Sequence, residues 1–144
     1  MKQKTILKTI LLFGLITFLA SCGKTIEEEV AYKNYVFNNN STYDIEIEGH
    51  TNGVEYIFPI GVGETLSQRI TFNSLDNTND KIITMDSITI IFDNNRISTF
   101  YQGINTISPY NIFIIDNYTT TQISDNQSKH EYIFTIEDYN NADN

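Results

Sequence analysis

The 144-residue chain carries few side chains suited to chemistry: two histidines, His50 and His130, one cysteine, Cys22, and eighteen carboxylates. Nucleophilic catalysis needs a nucleophile, a base within hydrogen-bond reach and a group that orients the base. His50 and His130 are the available imidazoles. Both sit in polar, turn-like stretches, and no Gly-x-Ser-x-Gly elbow occurs, so both are expected as solvent-exposed loop residues. Carboxylate pairs for glycoside hydrolysis are defined by their separation in the fold, so the abundance of Asp and Glu carries no weight by itself. Asp76-Asn77-Thr78-Asn79-Asp80 alternates oxygen side chains as calcium loops do. Lys81 then stands where the sharp turn needs Gly, and Ser87 where a bidentate Glu belongs, so a plain acidic loop is expected. No catalytic, cofactor-binding or metal residue is assigned, and no cofactor is implied.

Aromatic rings can serve as platforms for sugars, and Tyr101, Tyr110 and Tyr118 flank loops where a platform would stand. Tyrosines at strand ends are more often the rim of a core, which is the expectation here. After Cys22 the chain holds six basic and eighteen acidic residues, a formal balance of −12. Its cations, Lys24, Lys33, Arg69, Lys81, Arg96 and Lys129, are scattered singly. Displacing the counterions of a polyanion needs clustered Lys and Arg, so nucleic acid is not an expected partner, and electrostatic binding to anionic lipid is disfavoured.

Residues 1–21 place Lys2, Lys4 and Lys8 before an apolar run from Ile10 to Ala20, the layout of a secretory signal and too short a run for a membrane span. Leu19-Ala20-Ser21-Cys22 resembles the bacterial lipobox. That resemblance implies a mature chain beginning at Cys22, with a thioether-linked diacylglycerol and an amide-linked acyl chain there. Several acyl chains buried together, at about 0.8 kcal/mol per CH₂, make such anchoring effectively permanent. Glu27, Glu28 and Glu29 follow on a polar tether and resemble the surface-export signal of Bacteroidota lipoproteins, although the acidic residues of that family usually lie nearer the Cys. The alternative is a solvated linker. Asp86-Ser87-Ile88 resembles the O-glycosylation acceptor of the same phylum, with Ser87 as the attachment point. The Asn-x-Ser/Thr triplets at Asn39, Asn40, Asn117 and Asn126 are discounted, since bacterial N-glycosylation is uncommon.

The elements that must carry these residues read as strands. From Cys22 onward there are 20 Ile, 14 Thr, 9 Tyr and 7 Phe against 2 Ala and 2 Leu, so branched and aromatic side chains that suit a pleated surface replace helix formers. Tyr43, Ile45 and Ile47 alternate with Asp44, Glu46 and Glu48, and Val54, Tyr56, Phe58 and Ile60 repeat the pattern across a turn at 49–53. Pro59 ends the second strand or puts it at an edge. Further strands are expected over 66–72, 87–92 (central and covered on both faces), 97–101, 111–115 and 131–136, with at most a short turn of helix and a mobile tail at 140–144.

Seven or eight short strands in one domain predict an all-β, two-sheet antiparallel β-sandwich over 32–139, preceded by the signal peptide (1–21) and an acidic tether (22–31). An immunoglobulin-like Greek key is the leading topology and a small β-barrel the alternative. The segments 40–47, 87–94 and 136–142 resemble those of small uncharacterised Bacteroidota lipoproteins. The expectation is therefore a non-enzymatic binding or accessory module, lipid-anchored through Cys22 to the outer membrane and facing the exterior, or else the periplasm, with a protein or glycan ligand. A structural or assembly subunit of an envelope complex is the first alternative, and a glycan-acting enzyme using loop carboxylates is the second.

Overall fold

The computed structural model describes residues 31–71, 81–93, 95–104 and 108–143. Cys22, Glu27, Glu28, Glu29 and the 76–80 loop lie outside them. Eight strands are described: β1 (Tyr32–Asn39), β2 (Ile45–Thr51), β3 (Val54–Ile60), β4 (Thr65–Thr71), β5 (Ser87–Phe92), β6 (Arg96–Tyr101), β7 (Thr119–Ser124) and β8 (Gln127–Phe134). A six-residue helix, α1 (Ile136–Asn141), follows.

The strands form two four-stranded sheets, ordered β4-β1-β8-β7 (sheet A) and β3-β2-β5-β6 (sheet B). The two-sheet sandwich is present, and neither sheet closes into a barrel. All pairings are antiparallel except β1 with β8, which is parallel. With β1 inside its sheet, the order differs from the ABED and CFG arrangement of immunoglobulin domains.

Alternation decides what goes inside. Tyr35 and Phe37 of β1, Tyr132 and Phe134 of β8, Ile45 and Ile47 of β2, and Ile88, Ile90 and Phe92 of β5 are all buried. The sheets meet edge to face at Phe92 and Phe134, ring centroids 6.3 Å apart. Each such side chain contributes about 1.5–3 kcal/mol on leaving water. The β2–β3 hairpin narrows to a two-residue turn in which Asn52 (φ 51°) and Gly53 (φ 77°) are both left-handed, the conformation that matches strand twist. Pro59 lies on β3, an edge strand, as its missing N–H requires.

Several expectations fail for identifiable reasons. β1 and β7 were not visible as strands, because neither TTTQIS nor YKNYVFNN carries a clean alternation. The 111–115 stretch is no strand. Its backbone bonds locally, with Ile114 N donating to Asn111 O, Asn117 N to Ile114 O, and Phe113 N to the Asn111 side chain. β5 is interior but covered on one face only, since Ser87, Thr89 and Ile91 are half-buried.

Beyond β8 the chain makes contacts with the body of the sandwich as far as Asp143. Thr135 and Asp138 form a reciprocal capping box at the start of α1, and Tyr132 donates to Asp138 Oδ1 at 2.5 Å. Arg96 Nη1 donates to the carbonyls of Tyr139, Asn140 and Ala142. Its guanidinium lies 4.7 Å from the Tyr139 ring centroid, and Asp143 bridges to Ile97. Arg96 and Ile97 lie some forty residues before the tail segment that they contact.

One buried side chain joins the two sheets. Asn39 is fully buried; its Nδ2 donates to Tyr43 O (2.8 Å) and Ile60 O (3.0 Å), while its Oδ1 accepts from Ser41 N and Ser41 Oγ. Its backbone N–H donates to Glu64 O, and its carbonyl accepts from Gly63 N, where φ of 74° favours glycine. Asn39→Ala takes away the side-chain donor to Ile60 O and the acceptor of Ser41 N, and leaves Tyr43 O with Ser41 Oγ alone, which should cost about 2–4 kcal/mol in urea unfolding. Asn39→Asp, which turns a donor into a carboxylate facing the same carbonyls, should cost more than Asn39→Ala. A loss below about 0.5 kcal/mol in both variants would show that the network is dispensable.

Candidate functional site

Period two sends alternate residues of sheet B outward, and the register lines them up in rows. Glu55 (β3), His50 (β2), Ser87 (β5) and Tyr101 (β6) form one row, because His50 pairs with both Glu55 and Ser87, and Ser87 with Tyr101. Ile57, Glu48, Thr89 and Thr99 form the next, and Pro59, Glu46, Ile91 and Ile97 the third. Thr89 and Thr99 hydroxyls lie 3.2 Å apart. In the first two rows, Glu48, His50 and Glu55 each offer a donor atom, all within 4.8 Å of one another, and His50 Nε2 stands 4.0 Å from Glu55 Oε1. The third row ends in a recess lined by Asp44, Ile45, Glu46, Pro59, Ile91 and Asp93.

The two poles of the sandwich differ. The chain enters β1 at Tyr32, beside Thr71 and Gln127, whereas the far end of β1 lies beside Thr65 and Phe134. Eight residues at about 3.3 Å each separate these poles by roughly 25 Å. Because Asn39 reaches Tyr43 O and Ile60 O, the Asp44–Glu46–Asp93 recess belongs to the far pole. So does α1, whose Tyr139 ring stacks on Tyr43 at 3.9 Å. A second recess, lined by residues including Tyr32, Lys33, Gln122 and Ser128, lies beside the incoming chain.

His50 has an exposed side chain, as expected, but on a strand rather than a loop. His130 is a correction. It is buried on β8, its Nδ1 and Nε2 each 2.9 Å from a hydroxyl, Thr120 Oγ1 and Ser128 Oγ respectively, and its ring stacks on Tyr35 at 5.1 Å. Carrying the inward parity of Phe134 and Tyr132 back two more residues reaches His130 and then Ser128, a signal the sequence held. Ser128 and His130 have the spacing of a nucleophile and its base, but the group on the far side of the ring is a neutral threonine, which stabilises an imidazolium far less than a carboxylate does.

Ser87 opens β5 and is half-buried, while Asp86 accepts from Asn52 N through Oδ2 at 3.2 Å. The three tyrosines separate. Tyr118 is in the core and donates to Ile112 O at 2.6 Å, Tyr110 is half-buried, and Tyr101 is exposed on the outer face of sheet B. Burial pushes the Tyr118 and Tyr132 hydroxyls well above the ordinary tyrosine range. Asn39, the first of the discounted glycosylation triplets, is the buried clamp between the sheets.

Burial, and secondarily the Lys33 charge, lowers the His130 pKa. The unfolded ring, with a pKa of about 6.5, therefore takes up a proton at higher pH than the folded one, so this contribution to stability is present above about pH 6.5 and is lost as pH falls through the folded value. Urea midpoints should drop between about pH 7.5 and pH 5 more steeply in the wild-type chain than in His130→Phe, which keeps an aromatic ring against Tyr35 and does not titrate. Equal slopes would show that His130 does not carry the effect.

Known proteins offer no further guide: comparison finds no matching protein family, no matching curated protein and no matching solved structure, so the functional reading rests on the chemistry and placement of these residues.

Proposed function

We propose that the chain is a lipid-anchored, non-enzymatic binding or accessory module of the cell envelope, held in the outer membrane through acyl chains on Cys22 and displayed outward. The observation that carries this reading is the polarity of the sandwich. Tyr32 begins β1 ten residues after Cys22, so the tether joins at one pole. The turns at 40–44 and 61–64, Asp93 and helix α1 gather at the other. A chain tied down by its N-terminal segment presents that far pole and the outer face of sheet B to a protein or glycan ligand. Glu27, Glu28 and Glu29 act in this reading as the export signal.

A second reading, as a subunit of an envelope assembly, is favoured by β7. It forms an edge of sheet A with nearly every side chain exposed, including Ile123 at 55 %, and an open edge can accept a partner's strand. The other sheet guards its edges, with Pro59 on β3 and the Asp143 bridge on β6.

Three measurements on native cells test the anchor and the display. Mass spectrometry of the Cys22 peptide should show the diacylglycerol and acyl additions, and Cys22→Ala should move the protein from the membrane to the soluble fraction. Protease added to intact cells should degrade the wild-type protein. A Cys22→Ala variant that stays with the membrane overturns the anchor, and cleavage only after lysis overturns the outward display.

A further inference from the structure

We propose that Glu48, His50 and Glu55 form a binding site for a first-row divalent transition-metal ion of the zinc class on the outer face of sheet B. Two different rules of β-structure bring the three together. Same-face parity on β2 puts Glu48 and His50 side by side, and cross-strand pairing puts Glu55 of β3 opposite His50. The hairpin that joins the two strands is tight. Its Asn52-Gly53 turn is pinned from outside by Asp86 Oδ2, which accepts from Asn52 N, so the ligands stand on a rigid base near the closed end of a ribbon.

The donor geometry is close to what such an ion needs. Tetrahedral bonds of about 2.0–2.2 Å to nitrogen and oxygen place donors roughly 3.3–3.5 Å apart. Here the donor atoms lie within 4.8 Å of one another and the His50 Nε2–Glu55 Oε1 separation is 4.0 Å. Each glutamate has three rotatable side-chain bonds through which to close that difference. The side chains of His50 and Glu55 are 46 % and 54 % exposed, so an ion reaches the site from solvent and retains room for water or a further ligand at the remaining position.

The donor set decides the metal class. Two carboxylates supply the charge that a divalent ion offsets, and the imidazole nitrogen shifts preference away from calcium and magnesium, which take oxygen ligands, towards zinc, cobalt, nickel and copper. The far-pole recess with Asp44, Glu46 and Asp93 has carboxylates but no imidazole, so the two acidic regions of sheet B are chemically distinct. Among the described cations, Arg96 is engaged at the end of α1, Arg69 lies over the Tyr32 ring, and Lys129 pairs with Glu131 at 3.0 Å, so these three do not fill the place of a metal ion at His50. Three protein ligands leave an open coordination position facing outward, through which a ligand or a partner's side chain could complete the shell.

Titration calorimetry of the full chain in detergent with zinc chloride tests the site. The expected result is one zinc ion per chain, with binding not displaced by millimolar calcium or magnesium. His50→Ala and Glu55→Gln should each weaken binding at least about tenfold, and Glu48→Gln should weaken it as well. All three side chains point outward, so thermal melts of the metal-free variants should match wild type and separate loss of a ligand from loss of fold. Zinc binding unchanged in His50→Ala, absent in the wild-type chain, or displaced by equimolar calcium overturns the proposal.

Discussion

The sandwich depends on saturating one buried amide. Asn39 stands where β1 leaves sheet A and the chain crosses to sheet B, a place at which a small two-sheet fold must turn its backbone without losing hydrogen bonds. Its side chain and backbone together engage Ser41, Tyr43, Ile60, Gly63 and Glu64, drawing the β1–β2 crossing and the β3–β4 corner onto one point. Both amide hydrogens are used and the carbonyl oxygen accepts twice, which is the condition under which a buried polar group rigidifies a fold rather than weakening it. The register of β2 and β3 follows from this anchorage, because the clamp holds the chain just before Ile45 and at Ile60, the first residue of one strand and the last of the other.

Consequences for the outer face follow directly. With register held at one end by Asn39 and at the other by the Asn52-Gly53 turn, the order of side chains on sheet B is determined row by row. A one-residue slip would turn Ile45 and Ile47 outward and bury Glu46, Glu48 and His50, so burying the apolar set and presenting the polar set are one event. The far pole is closed in the same manner. Tyr139 of α1 stacks on Tyr43 and meets Phe92 edge to face, and Arg96 caps the last carbonyls of the helix, so a six-residue helix too short to persist alone is stabilised by its neighbours. Tyr132 and Asp138 tie that helix to the core through a short hydrogen bond.

Much of sheet B was legible, because its signals are local. Alternation over Tyr43–Glu48 and Val54–Ile60, turn residues between them and Pro59 at an edge each rest on neighbours a few residues apart. Sheet A was legible only in β4 and the second half of β8. β1 and β7 are polar strands whose identity comes from partners far along the chain, β1 pairing with β8 across more than ninety residues. His130 was misplaced for a related reason, since polar neighbours suggested a loop whereas the parity of Tyr132 and Phe134 puts it inside. The 111–115 stretch erred in the opposite direction: apolar residues suggested a strand, but Asn111 and Asn117 draw the backbone into local turns.

By itself, then, the sequence determined the all-β character and the β2–β3 hairpin of sheet B, because branched and aromatic residues with period two bury one face of a sheet and leave the other in water. Tertiary structure alone decided the parallel β1–β8 pair, the burial of His130, the docking of the tail and the meeting of Glu48, His50 and Glu55. The physical reason is the range of the interaction. Periodicity records which side of a strand faces water, but which strand lies alongside, and in what register, is settled only when the whole chain competes for the same core and the same backbone hydrogen bonds.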